Sequence, residues 1–136
     1  MRKVIPFLLV LFIAFMFFSC DQDSMPSPRD SLSPPSWIRG TWSDEYGVNT
    51  YTFSTSNVLF TVDLGSSSIE IDFAAVMGSS ELGVVDELST SSMYRFSFND
   101  GTSTTALRFE NVSSTTLNYY ISQGGITSGP IRLTKE

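Results

Sequence analysis

The chain has 136 residues, a net charge of −6 at pH 7 and no histidine. The lack of histidine excludes an imidazole general base, the Ser-His and Cys-His nucleophile pairs and imidazole metal ligands. The acidic balance, without any basic patch, argues against a nucleic-acid partner because phosphate backbones would be repelled.

The start of the chain has the pattern of an export signal. Arg2 and Lys3 supply a positively charged beginning, the stretch 4–18 is apolar, and the single cysteine, Cys20, follows shortly afterwards. This pattern predicts a signal peptide over residues 1–19 that is cleaved before Cys20. A membrane-spanning helix needs roughly 20 apolar residues, so an uncleaved anchor fits less well. An ordinary secretory signal would leave a free thiol in an oxidising compartment.

The residues before the cysteine resemble the lipobox of bacterial lipoproteins. They read Phe17-Phe18-Ser19-Cys20, in which Ser19 matches the small position and Phe18 is bulkier than the common pattern. The resemblance implies a lipid-modified Cys20 carrying several acyl chains, palmitate among them, and a membrane-anchored protein of the bacterial cell envelope. We expect the outer membrane or the cell surface. Inner versus outer membrane stays open, because Asp21 resembles an inner-membrane retention signal only in enteric bacteria.

Residues 20–36 are rich in proline and serine and contain almost nothing to bury. Such a composition predicts a disordered tether that begins at the lipidated Cys20. The remaining segment, 37–136, is long enough for one folded domain.

Within this segment, apolar residues recur at every second position, which is the period of a β-strand with one buried face. The alternation is found in 51–53, 58–64, 69–73, 94–98 and 107–109, and then at Leu117, Tyr119, Ile121, Ile131 and Leu133. About eight strands joined by short connections predict an all-β fold, a small antiparallel meander that closes into a β-barrel and so removes its exposed edges.

Three connecting segments differ in what they predict. Asn99-Asp100-Gly101-Thr102 indicates a tight hairpin, because Gly101 tolerates positive φ. The glycine-rich stretch 123–130 predicts a longer loop. In 74–88, a short helix and a strand near Val84-Val85 both fit the pattern.

The segment Gly40-Thr41-Trp42, at the start of the meander, resembles the Gly-x-Trp motif that opens the first strand of lipocalin-like barrels. The resemblance implies a calycin-type barrel in which Trp42 closes one end. It also implies that a basic residue late in the chain packs over the indole ring, and Arg132 is the nearest match by position. Cation–π attraction would be the physical reason for that contact.

A barrel of eight strands is either filled by side chains or holds one small ligand. We therefore predict a binding protein for a small apolar ligand, and the alternative is a surface interaction or structural protein with a packed core and no pocket. The candidate lining residues are Tyr51, Phe53, Phe60, Phe96, Phe98 and Tyr119.

Acidic residues offer little chemistry. Glu70 and Asp72 share one face of a strand, and Asp86-Glu87 with Glu81 lack the dense spacing of a calcium loop. We predict no enzymatic activity, no catalytic or metal-binding residues and no cofactor. The expected partners are the membrane, through the lipid, and either an apolar ligand or an envelope protein.

Overall fold

The computed structural model describes residues 31–78, 83–99 and 101–136. The predicted signal peptide, Cys20, the first part of the tether and Glu81 lie outside the described residues. The described chain is almost entirely β-structure, as predicted. Its elements are β1 (Gly40–Ser43), β2 (Asn49–Phe53), β3 (Val58–Asp63), β4 (Ser68–Asp72), α1 (Phe73–Gly78), β5 (Gly83–Ser89), β6 (Met93–Asn99), β7 (Thr104–Ser113), β8 (Thr116–Gln123) and β9 (Ile126–Lys135).

The nine strands form one antiparallel, strongly curled sheet in the order β4-β3-β2-β1-β9-β8-β7-β6-β5. Every neighbouring pair is consecutive in sequence except β1 and β9, which join the two ends of the chain. Among the described residues the ladder is not continued from β4 to β5. The sheet is therefore a half-barrel rather than the closed barrel of the sequence prediction, and α1 contacts β3, β4 and β5.

Alternate side chains point into the curl, as the period-two pattern predicts, and they form an aromatic core. The ring centres of Phe53 and Phe109 are 4.9 Å apart, and those of Phe109 and Tyr119 are 5.1 Å apart. Full burial of one such side chain stabilises the fold by about 1.5–3 kcal/mol. The buried apolar residues are Leu32, Ile38, Trp42, Tyr51, Phe53, Val58, Phe73, Tyr94, Phe96, Leu107, Phe109, Leu117, Tyr119 and Leu133.

The strand directions define two ends of the half-barrel. The connections β1–β2, β3–β4, β6–β7 and β8–β9 lie at one end, which we call the open end. The connections β2–β3, β5–β6 and β7–β8 lie at the other, which we call the N-terminal end because the segment 31–39 packs there. Leu32 N donates to Ser56 O at 3.2 Å, and Trp37 Nε1 donates to Thr90 O at 2.9 Å.

This packing corrects the predicted start of the folded domain. Leu32 is 1% exposed, Pro34 is fully buried and Ser33 N donates to Glu87 Oε1 at 2.6 Å. Residues 31–36, predicted to be part of the tether, are therefore folded against the sheet. Their composition suggested disorder because the segment offers few apolar side chains, yet the N-terminal end of the core provides a place to bury Leu32 and Pro34.

The three connecting segments have different outcomes. The hairpin after β6 is confirmed: Gly101 has φ of 88°, and its N–H donates to Asn99 Oδ1 at 2.7 Å. The longer loop over 123–130 is wrong, because β8 and β9 are joined by a two-residue turn in which Gly124 and Gly125 both have positive φ. The ambiguous stretch contains both predicted elements, namely α1 and β5.

Candidate functional site: an apolar cavity beneath the open end

A cavity of about 390 Å³ lies inside the curl of the sheet, toward the open end. Side chains from β2, β3, β4, α1, β6, β7 and β8 surround it, and none of them is charged. Among the described lining residues, Thr105 and the two tyrosines are the side chains with polar atoms. The lining residues are Tyr51, Phe60, Ile71, Phe73, Val76, Phe98, Thr105, Leu107, Tyr119 and Ile121.

Cross-strand register places these side chains together. Phe60 lies opposite both Tyr51 and Ile71, so the three share the inner face of β2, β3 and β4. The curl of the sheet then brings Tyr119 of β8 to Tyr51, with the ring centres 5.0 Å apart. Ile71, on the edge strand β4, is 37% exposed and marks the mouth where the cavity meets solvent.

Between the cavity and the N-terminal end, the inside of the sheet is filled by aromatic side chains. Phe96 is 0% exposed and its ring centre is 5.1 Å from that of Phe73. Phe53 is 2% exposed and packs edge-on against Tyr94 as well as Phe109. These aromatic side chains pack the inside of the half-barrel toward the N-terminal end, whereas the cavity lies toward the open end.

Four of the six predicted lining residues surround the cavity: Tyr51, Phe60, Phe98 and Tyr119. Phe53 and Phe96 do not, because they lie closer to the N-terminal end and are enclosed in the core.

Sequence reasoning missed the aliphatic part of the wall, which includes Ile71, Leu107 and Ile121. Their positions carry the same alternating signal as the aromatics. A selection by strand face alone, without preference for aromatic residues, would have found them.

Burial keeps both tyrosines of the cavity uncharged. It raises the pKa of Tyr51 far above its usual value, and the neighbouring Tyr119 hydroxyl raises it further. Burial also raises the pKa of Tyr119, although a hydrogen bond with Tyr51 acts in the opposite direction. The described side chains of the wall therefore carry no charge across the physiological pH range.

No family model matches the chain, and neither a curated protein nor a solved structure shows significant similarity to it.

The Gly-x-Trp segment lies toward the N-terminal end, and Trp42 is the cross-strand partner of the lining residue Tyr51. β1 begins at Gly40, and Trp42 is 1% exposed, with Nε1 donating to Ile38 O at 2.7 Å. Lys135, and not Arg132, lies over the indole, with Nζ 5.2 Å from the ring centre.

The prediction for Arg132 is wrong for a reason of register. Trp42 pairs with Lys135, so their side chains share the inner face. Arg132 pairs with Asn118 on the outer face, where its side chain is exposed. Sequence position alone did not reveal this offset.

The acidic residues have local structural partners. Asp72 Oδ1 accepts from Ala75 N at 3.0 Å and from Asn57 Nδ2 at 2.8 Å, which makes Asp72 the N-cap of α1. The bond from Ala75, followed by that from Asn57, lowers the pKa of Asp72. Glu70 is exposed on the neighbouring outward position.

On β5, Asp86 and Glu87 face opposite sides of the sheet. Asp86 forms a 2.5 Å ion pair with Arg95, whereas Glu87 Oε1 accepts from the Tyr94 hydroxyl at 2.8 Å. Within residues 31–78, 83–99 and 101–136, no group of three potential metal ligands occurs. In the same ranges, no helix is long and apolar enough to cross a membrane.

Proposed function

We propose that the chain is a lipid-anchored protein of the bacterial cell envelope that binds a small apolar ligand in the cavity at the open end. The observation that carries the binding role is the cavity itself, about 390 Å³ of space with an uncharged aromatic and aliphatic wall. Ligand sites are concave and mostly apolar, with volumes of about 300–1,000 Å³. A lipocalin-like assignment rests on the Gly-x-Trp segment and on the curled antiparallel sheet.

The wall of the cavity favours an apolar guest over water. A water molecule needs two to four polar partners, and this wall offers few polar atoms. Transfer of an apolar group from water into the cavity releases about 25 cal/mol for each Å² removed from solvent. The aromatic rings of Tyr51, Phe60 and Phe98 are held by cross-strand packing, so little side-chain ordering opposes binding.

Binding is tested by titration of the chain that starts at Asp21 with the neutral fluorophore N-phenyl-1-naphthylamine. All described strands belong to one sheet within residues 31–136, so this chain keeps the whole folded unit. We expect a saturable rise in fluorescence that dodecan-1-ol reverses. A linear, non-saturable signal would contradict a binding cavity.

Lipid anchoring is supported by the sequence around Cys20 and is tested in living bacteria. The full-length chain is expressed in cells fed an alkyne-labelled palmitate. We expect label in the natural chain and in Asp21→Asn, which changes the neighbouring residue but keeps the thiol. Loss of label in Cys20→Ser is required, and a labelled Cys20→Ser protein would contradict the proposal.

An envelope protein that contacts a partner through its surface is the second candidate. A hydroxyl-rich groove of about 450 Å³ lies beside the β1–β2 and β3–β4 turns and favours it, with Thr50, Thr61, Asp63 and three serines in its wall. Because the groove contains no large apolar side chain, it lacks the anchor that dominates most protein interfaces. Reproducible capture of an envelope protein that is lost in Thr61→Lys would favour this role.

A further inference from the structure

The described side chains of the cavity offer no counter-charge to an ionised ligand. Within residues 31–78, 83–99 and 101–136, neither a basic nor an acidic side chain lines it. The basic residues of the described ranges lie on the outer face of the sheet or at the N-terminal end, and they are Arg39, Arg95, Arg108, Arg132 and Lys135. Burial of an unpaired charge is strongly unfavourable, so a carboxylate, phosphate or ammonium group is disfavoured in this wall.

Exposed aliphatic side chains continue the apolar surface beyond the mouth. Ile69 lies two residues before the lining residue Ile71 on β4 and shares its inner face, yet it is 54% exposed. On β9, Ile126 continues the inner face past the lining residue Ile121 of β8 and is 74% exposed. Two residues along a strand span about 7 Å. Hydrocarbon that protrudes from the cavity would therefore meet further apolar side chains on both strands.

From these two observations we infer that the ligand is an elongated hydrocarbon compound whose uncharged polar end lies in the cavity and whose hydrocarbon tail leads outward. One part fills the cavity, and the rest extends through the mouth over Ile69 and Ile126. The inference rests on the proposed ligand-binding function and makes it more specific, because it names the class of compound and the side chains that contact the protruding part.

The charge of the ligand is tested with three compounds of equal chain length. Dodecan-1-ol, dodecanoate and dodecylammonium compete with N-phenyl-1-naphthylamine for the chain that starts at Asp21, at pH 7 and about 0.15 M salt. We expect dodecan-1-ol to displace the fluorophore at a concentration about tenfold or more below that of either ion.

The protruding part is tested with alcohols of increasing length and with variants on the rim of the mouth. From octan-1-ol to dodecan-1-ol, affinity should rise about fourfold for each added methylene, as burial of each group implies. Ile69→Ser and Ile126→Ser should lower the affinity for dodecan-1-ol several-fold and leave the affinity for octan-1-ol unchanged. Leu88→Ser is the matched control, because Leu88 is an aliphatic side chain, 42% exposed, on the outer face.

The outcomes distinguish a failure of this inference from a failure of the proposed ligand-binding function. Displacement by dodecanoate or dodecylammonium as strong as by dodecan-1-ol would overturn the uncharged class, while the binding function would stand. Affinity that stops rising at octan-1-ol, or that is equal in the Ile69→Ser, Ile126→Ser and Leu88→Ser variants, would overturn the extended pose. No saturable binding of the fluorophore would remove the binding function and this inference together.

Discussion

The indole nitrogen of Trp42 donates a 2.7 Å hydrogen bond to the backbone carbonyl oxygen of Ile38, and both residues are at most 1% exposed. This bond ties the first strand to the turn that precedes it at the N-terminal end of the half-barrel. Lys135 covers the same indole from the last strand, so Trp42 connects both ends of the described chain.

Trp42→Phe is expected to destabilise the fold by about 1–3 kcal/mol, because it leaves the carbonyl oxygen of Ile38 buried without a donor. The free energy of unfolding is measured by urea titration followed by circular dichroism. Trp37→Phe is the control, since Trp37 donates to Thr90 O at a more exposed site where water replaces the lost donor. Equal losses in the two variants would contradict the role given to burial.

Leu117→Ala is expected to cost about 2–5 kcal/mol of stability. Leu117 is 0% exposed in the core at the N-terminal end, and truncation there leaves a void that the aromatic side chains around it fill only in part. Leu88→Ala, at a residue 42% exposed on the outer face, should change the free energy of unfolding by about 0.5 kcal/mol or less. The same urea titration compares the two, and similar costs would show that the inner face of β8 is not a packed core.

Ile121→Trp is expected to abolish saturable binding of N-phenyl-1-naphthylamine, because the larger side chain occupies the cavity that Ile121 lines. Ser122→Trp adds the same side chain to the next residue of β8, whose side chain hydrogen-bonds Thr127 on the opposite face. The affinity of that control for the fluorophore should stay within about twofold of that of the natural chain, provided that circular dichroism shows both variants folded. Unchanged binding by Ile121→Trp would place the fluorophore elsewhere.

Asp72→Asn is expected to lower stability at neutral pH and to match the natural chain in acid. Hydrogen bonds from Ala75 and Asn57 favour the ionised carboxylate, so the folded-state pKa of Asp72 lies below the ordinary value of 3.8. The corresponding stabilisation is present above pH 3.8 and is lost as the pH falls through the folded-state pKa.

The measurement for Asp72 is the difference in urea midpoint between the two chains from pH 6 to pH 2. This difference should shrink as the pH falls. Asp72→Ala serves as the comparison because it removes the capping oxygen at every pH. A difference between Asp72→Asn and the natural chain that does not vary with pH would contradict the contribution of the charge.

The predicted lining residues show how much of the site could be predicted from the local alternation of side chains. Tyr51 and Phe53 occupy equivalent alternating positions on β2, and both were predicted to line a ligand site. The structure separates them into different layers, because Phe53 meets Phe109 and Tyr94 across the core whereas Tyr51 borders the space below the open end. The layer of the core in which a side chain lies depends on the curl and stagger of strands that are far apart in the sequence. No short segment encodes these features by itself.

Local sequence patterns were enough to predict the all-β class, the inward face of most strands and the hairpin at Gly101, because side-chain alternation and positive φ are properties of neighbouring residues. Three other features could not be predicted in this way: Leu32 and Pro34 join the core, Lys135 rather than Arg132 covers Trp42, and β4 and β5 do not pair with each other. These features depend on cross-strand register and on the packing of residues far apart in the chain, so only the assembled sheet specifies them.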